Sequence, residues 1–118
     1  MIVTEPTVPV LTSRKTTSFI GKWRIVWMDG WDQDYVDLEV PGYVTFEKKG
    51  IGNFQFGLAQ GQIDYRGDAS RVEFTWSGFD EGDEMSGRGF AEIVREELCG
   101  HIYIHLGDDS AFRAVKQK

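Results

Sequence analysis

The chain predicts an all-β fold: a single antiparallel β-barrel of about 7–8 strands running as a meander, with a flexible N-terminal arm. Three observations carry this. From Phe19 onward apolar residues recur at every second position, the period of a strand with one buried face. Gly- and Asp-containing turn signals punctuate that alternation at hairpin spacing. No stretch shows the 3.6-residue period of an amphipathic helix. Closure follows from the strand count, because an open meander would leave two exposed edges.

Composition agrees with one β domain. The chain has 118 residues, enough for a single core, and carries four Trp, four Tyr and eight Phe. Each ring buries on the order of 150–250 Å², so a few of them fill a small barrel. Fourteen glycines against three prolines fit turns and close approaches within strands. The formal net charge is −6, and Lys and Arg are scattered, which argues against nucleic acid or an anionic membrane as partner. A cationic partner, a metal or a neutral small molecule stays compatible with that charge. The single cysteine, Cys99, excludes an intrachain disulfide and predicts a reducing, cytoplasmic setting. Pro6 and Pro9 interrupt the only place where a secretory apolar run would lie, and no stretch has transmembrane length.

Element by element, residues 1–18 are rich in Thr, Ser, Pro and Val without period and read as the arm; 19–118 are the barrel domain. The first strand is read from Phe19, with Gly21, Trp23, Ile25 and Trp27 on one face. Residues 29–41 break the alternation and read as a long connection with one helical turn. Val44 and Phe46 resume it, Lys48–Gly52 turns the chain, and Phe54, Phe56 and Leu58 return. Gly57 and Gly61 mark a bulge before Ile63 and Tyr65. Gly67–Ser70 turns into Val72, Phe74 and Trp76. Ser77–Met85 reads as an acidic loop and 86–94 as a strand. After Arg95–Glu97 comes Leu98-x-Gly100-x-Ile102-x-Ile104-x-Leu106, then the turn Gly107–Ser110 and a last strand, Ala111–Val115. The interior is expected around Trp23, Trp27, Phe46, Phe54, Phe56, Phe74 and Trp76.

Two resemblances enter here. Phe19-Ile20-Gly21-Lys22-Trp23 on the first strand and Arg113 on the last resemble the calycin pattern of lipocalins and fatty-acid-binding proteins. That resemblance implies an Arg packed across the Trp at the barrel base. Trp31-Asp32-Gln33-Asp34-Tyr35-Val36-Asp37, Phe54-Gln55-Phe56-Gly57, Gly78-Phe79-Asp80-Glu81, Ser86-Gly87-Arg88-Gly89 and Gly107-Asp108-Asp109-Ser110-x-Phe112 resemble a group of short bacterial proteins of unknown function. The second resemblance implies no activity.

The candidate chemistry is sparse. Cys99, His101, Tyr103 and His105 share one strand face, but His101 and His105 lie about 13 Å apart along it, too far for one zinc ion. No metal or cofactor is assigned. The face reads instead as an outer surface, with His101, Tyr103 and His105 as a candidate interface. Asp29, Asp32, Asp34, Asp37 and Glu39 lack the mid-loop Gly and distal Glu of a calcium loop. With Asp80–Glu84 and Asp108–Asp109 they read as solvated turns that would form an electronegative rim if gathered at one barrel mouth. His105 beside Asp108 or Asp109 is the best acid–base pair, without a nucleophile, and Ser86-Gly87-Arg88-Gly89 lacks the helix of a phosphate loop. No catalytic residue is assigned.

Trp31 and Tyr35 sit in a polar connection, either lidding the barrel or presented as contact anchors. The leading functional expectation is non-catalytic binding of a small apolar or aromatic molecule at the barrel mouth by Trp31, Tyr35, Trp76 and Trp27. The alternative is a protein-interaction or homo-oligomerisation module using an outer sheet face and the arm.

Overall fold

The computed structural model describes residues 18–117. All of the predicted arm except Ser18 lies outside the described residues. Eight strands, β1 (Gly21–Met28), β2 (Tyr43–Glu47), β3 (Ile51–Phe56), β4 (Ala59–Gly67), β5 (Arg71–Asp80), β6 (Asp83–Val94), β7 (Glu97–Ile104) and β8 (Asp109–Lys116), follow one another around a closed barrel. Every neighbouring pair is antiparallel, β1 with β8 included. One short helix, α1 (Gln33–Val36), lies between β1 and β2. No helix among the described residues is long and apolar enough to cross a membrane.

A meander places its connections alternately at two ends. The base holds the start of β1 and the turns at 48–50, 68–70 and 95–96. The α1 end holds 29–42, 57–58, 81–82 and 105–108. The base is sealed by Phe19, edge-on to Phe46 at 6.1 Å between centroids, and by Trp23, whose Nε1 donates to the Phe19 carbonyl at 2.8 Å. The cation over Trp23 is Lys116, with Nζ 4.7 Å from the ring centroid and donating to the carbonyls of Ser18 and Ile20. Burial lowers the pKa of that ammonium. Arg113 is not the closing residue. Phe112 and Ala114 face inward, so Arg113 faces out, where it pairs with Glu97 at 3.0 Å.

Six of the seven expected core rings are buried, and Trp27 is the exception at 42% exposure. The register of β1 against β8 slips between Ile25, opposite Ala114, and Trp27, opposite Arg113. The extra residue, Val26, is a β-bulge that turns Trp27 outward and Met28 inward. Two further expectations are corrected. Gly57–Leu58 is the two-residue turn between β3 and β4, so no bulge is needed for Ile63 to face inward. Ser77–Met85 is not a loop: β5 and β6 stay paired to Asp80 and Asp83 across the turn residues Glu81 and Gly82, both with positive φ.

The interior is filled by rings lying over glycines of adjacent strands. A Cβ added at Gly61 would stand 2.5 Å from the Phe54 ring and 2.9 Å from Trp76; one at Gly89 would meet Phe74 at 2.5 Å, and one at Gly100 would meet Phe112 at 2.8 Å. The rings also contact one another. Phe54 meets Trp76 edge-on at 5.0 Å and Phe56 stacked at 5.7 Å. These rings and glycines pack against one another across the barrel interior.

Candidate functional site

The aromatic residues expected at a mouth close the α1 end rather than line an opening. Asp32 caps α1, its Oδ1 accepting from the Tyr35 N–H at 3.0 Å. Asp37 ends the helix and ties it to the barrel. Its carboxylate takes two bonds from the Arg24 guanidinium, at 2.9 and 3.0 Å, one from the Gly42 N–H at 2.8 Å and one from Gln33 Nε2 at 3.1 Å. Partial burial works against the charged form of Asp37, but the bonds from Gly42, Arg24 and Gln33 outweigh it and hold the pKa below the usual value. Thus fixed, α1 lays Trp31 on Phe56 at 5.0 Å and beside Tyr35 at 6.2 Å. The Tyr35 hydroxyl accepts from the Leu58 N–H at 3.3 Å. Trp76 lies inside, its Nε1 donating to the Tyr103 carbonyl at 3.2 Å. Trp31, Tyr35 and Trp76 are therefore joined through Phe54 and Phe56, while Trp27 is on the outer wall and joins none of them.

Of the predicted interface stripe, His101 and Tyr103 face outward on β7, and His105 lies exposed in the turn that follows. His101 stands 4.6 Å from the Tyr103 ring and 6.3 Å from Phe90. The Arg71 guanidinium covers Phe90 at 4.1 Å, and that of Arg88 covers Tyr103 at 4.0 Å. Asp109 meets His101 Nε2 at 2.5 Å, so the His–Asp contact involves His101 rather than the expected His105. Asp29 accepts from the Ser110 hydroxyl and the Ala111 N–H; these bonds lower its pKa against a small burial effect, with the charge of His101 adding to the shift. Ser110 is buried, and its hydroxyl also accepts from the Gly30 N–H at 2.9 Å. Among the described residues no three His, Cys, Asp or Glu side chains gather as metal ligands.

Two adjoining recesses open on the outer wall where β7 leaves β6. The larger, about 840 Å³, is lined by Gln60, Gln62, Ser77, Phe79, Glu84, Met85, Ser86, His105 and Leu106 together with the backbone of Gly61 and Gly78. The smaller, about 490 Å³, adds Thr75, Arg88, Tyr103 and Ile104 and shares Ser86, His105 and Leu106. Neither is lined by Trp31, Tyr35, Trp76 or Trp27. Tyr103 and His105 of the predicted stripe border these recesses and His101 does not.

Leu106 and Phe79 went unrecognised in the sequence. Leu106 continues the alternation of β7 and is expected inside, but β7 ends at Ile104 and Leu106 sits in the turn at φ 61, 95% exposed. Its positive φ belongs to the tight turn closed by the Gly107 N–H on the Ile104 carbonyl, as at Lys49, Glu81, Arg95 and Glu96 in other turns, but Leu106 alone of these five is apolar. Phe79, expected in a loop, is an outward strand residue at 54% exposure, paired across strands with Gln60 and Glu84. Its parity with Ser77 and Thr75 was the available signal. The acidic segments gather as the rim condition required: Asp29–Glu39, Asp80–Glu84 and Asp108–Asp109 all lie at the α1 end, whose four connections contain no Lys or Arg.

No protein-family model, no curated protein and no solved structure matches the chain.

Proposed function

We propose that the chain is a non-catalytic interaction module that holds a partner protein on the outer wall at the recess between β6 and the β7–β8 turn. The observation that carries this is Leu106, whose fully exposed side chain is held at φ 61 on the lip of an 840 Å³ recess. A large apolar side chain presented almost wholly to water points to a role outside the fold. The position of both recesses on the outer wall, over a core of packed rings, supports the same reading. The single cysteine, Cys99, fits work in the cytoplasm.

The test is site-specific photo-crosslinking in cells, with the reactive residue at Leu106 or, as control, at Ile51, an exposed position at the base. A discrete protein adduct from position 106 alone is expected. Equal adducts from both positions, or none from 106, would overturn the proposal.

A further inference from the structure

The recess has chemistry that specifies its occupant. β6 begins at Asp83, whereas its register with β7 starts only at Gly87 opposite Ile104, extended by one bond from the His105 N–H to the Ser86 carbonyl at 2.7 Å. Asp83, Glu84 and Met85 therefore run on with β5 on one side and no strand on the other. Because backbone groups alternate in direction along a strand, Glu84 turns its N–H and C=O the same way as Ser86, toward the side β7 has left. This short length is open for pairing on the side β7 has left.

Apolar contacts flank it. Phe79 lies one strand away on the outer face, directly opposite Glu84, and Leu106 stands on the other lip. Charge completes the set. Glu84 lines the recess, Asp80, Glu81 and Asp83 form the tip of the same hairpin, and Asp108 follows Leu106 in the same turn. The hairpin tip and that turn contain no Lys or Arg to neutralise them.

Resting on the interaction reading above, we infer that the occupant is an extended peptide segment carrying Lys or Arg. Its backbone pairs with Glu84, apolar side chains meet Phe79 and Leu106, and cationic heads reach the carboxylates of the hairpin tip. Long-range attraction from the acidic end steers such a segment in, and the free edge fixes its register. An acidic or phosphorylated segment meets the opposite field.

A random dodecapeptide library displayed on phage, selected against the full chain, tests this. Enriched peptides should be rich in Lys and Arg. As free peptides in fluorescence anisotropy they should bind about tenfold or more weakly to Leu106→Asn and to Glu84→Lys. Asp34→Lys, an equal charge change on α1 with no part in the recess, should cost far less. Melting curves check that the variants are folded. Enriched peptides that are acidic or uncharged, yet still lost on Leu106→Asn, would leave the interaction reading standing and sink the cationic occupant. Peptides indifferent to both Leu106→Asn and Glu84→Lys would sink both. A chain lacking residues 1–17 that binds the same peptides much more tightly would make its own N-terminal segment the occupant and overturn the foreign one. Self-association abolished by Leu106→Asn would likewise replace it with a second copy.

Discussion

Gly61→Ala is expected to destabilise the protein although it touches no turn and no recess side chain. Gly61 has no positive φ, so its backbone would accept a side chain; the obstacle is space. The new Cβ would lie 2.5 Å from Cε2 and Cζ of Phe54 and 2.9 Å from Cε3 of Trp76, against about 3.5–4.0 Å for comfortable carbon contact. Phe54 must therefore retreat by about 1 Å. Behind it stands Phe56, at 5.7 Å between centroids, and both rings are buried. Overpacking of this kind costs about 1–3 kcal/mol, offset by about 0.5–1 kcal/mol from replacing glycine within a strand. With Phe54 blocked by Phe56, the upper part of that range applies, a net loss of about 1–2.5 kcal/mol. Urea denaturation followed by Trp fluorescence reads it as a lower midpoint at unchanged slope. The decisive measurement is the cycle with Phe54→Leu, which makes room for the methyl: the double variant should be more stable than the sum of the singles by about 1 kcal/mol. Gly82→Ala is the contrast, since nothing lies within 4 Å and only its φ of 87 opposes a side chain; it should show no coupling to Phe54. A neutral or stabilising Gly61→Ala, or an additive cycle, would refute the claim that rings over glycines fill this barrel.

Asp37→Ala removes the acceptor that joins Arg24, Gln33 and Gly42, and should cost about 2–3 kcal/mol in denaturation. Hydrogen exchange at the Gly57 N–H, bonded to the Val36 carbonyl at 2.9 Å, should accelerate beyond the global change as α1 loosens. Leu106→Asn should raise stability by up to about 1 kcal/mol, because asparagine tolerates positive φ and no apolar contact is lost; a lower melting temperature would show Leu106 to be packed. Asp29 has a folded pKa below its unfolded value, so its contribution is present above pH 3.8 and is lost as pH falls through the folded value. Asp29→Asn should accordingly flatten the acid limb of a stability–pH curve, measured by urea midpoints.

The barrel was legible because its strands alternate, with large buried rings on β1, β2, β3, β5 and β8 and small or aliphatic inward residues on β4, β6 and β7. What was missed has local causes. Val26, Trp27 and Met28 form a continuous apolar run, so either phase satisfies the pattern, and only the bulge opposite β8 decides that Trp27 faces out. The tips of β5 and β6 carry acidic residues on both faces because they extend beyond the core, and without a buried face a strand gives no period. Lys116 at the base could have been found from parity alone, since Phe112 and Ala114 put even positions inside and Arg113 outside. The recess was not legible. It arises from the point at which β7 stops while β6 continues, a difference in length that alternating residues leave unmarked.

That difference in length also explains why the acidic residues concentrate where they do. A strand pair extending past a sealed barrel exposes both faces and one edge, and an exposed edge invites pairing with a copy of itself. Asp80, Glu81, Asp83 and Glu84 on the tip make an approaching identical tip repulsive. The same carboxylates are neutralised by a segment of opposite charge, so the feature that protects the edge from self-pairing also selects its partner. Elsewhere the protection is geometric. At the base Phe19, Trp23 and Lys116 cover the opening, and at the other end Trp31 and Tyr35 do so under the hold of Asp37. With both ends covered by packed side chains, the unpaired stretch of β6 is guarded by charge instead of contact.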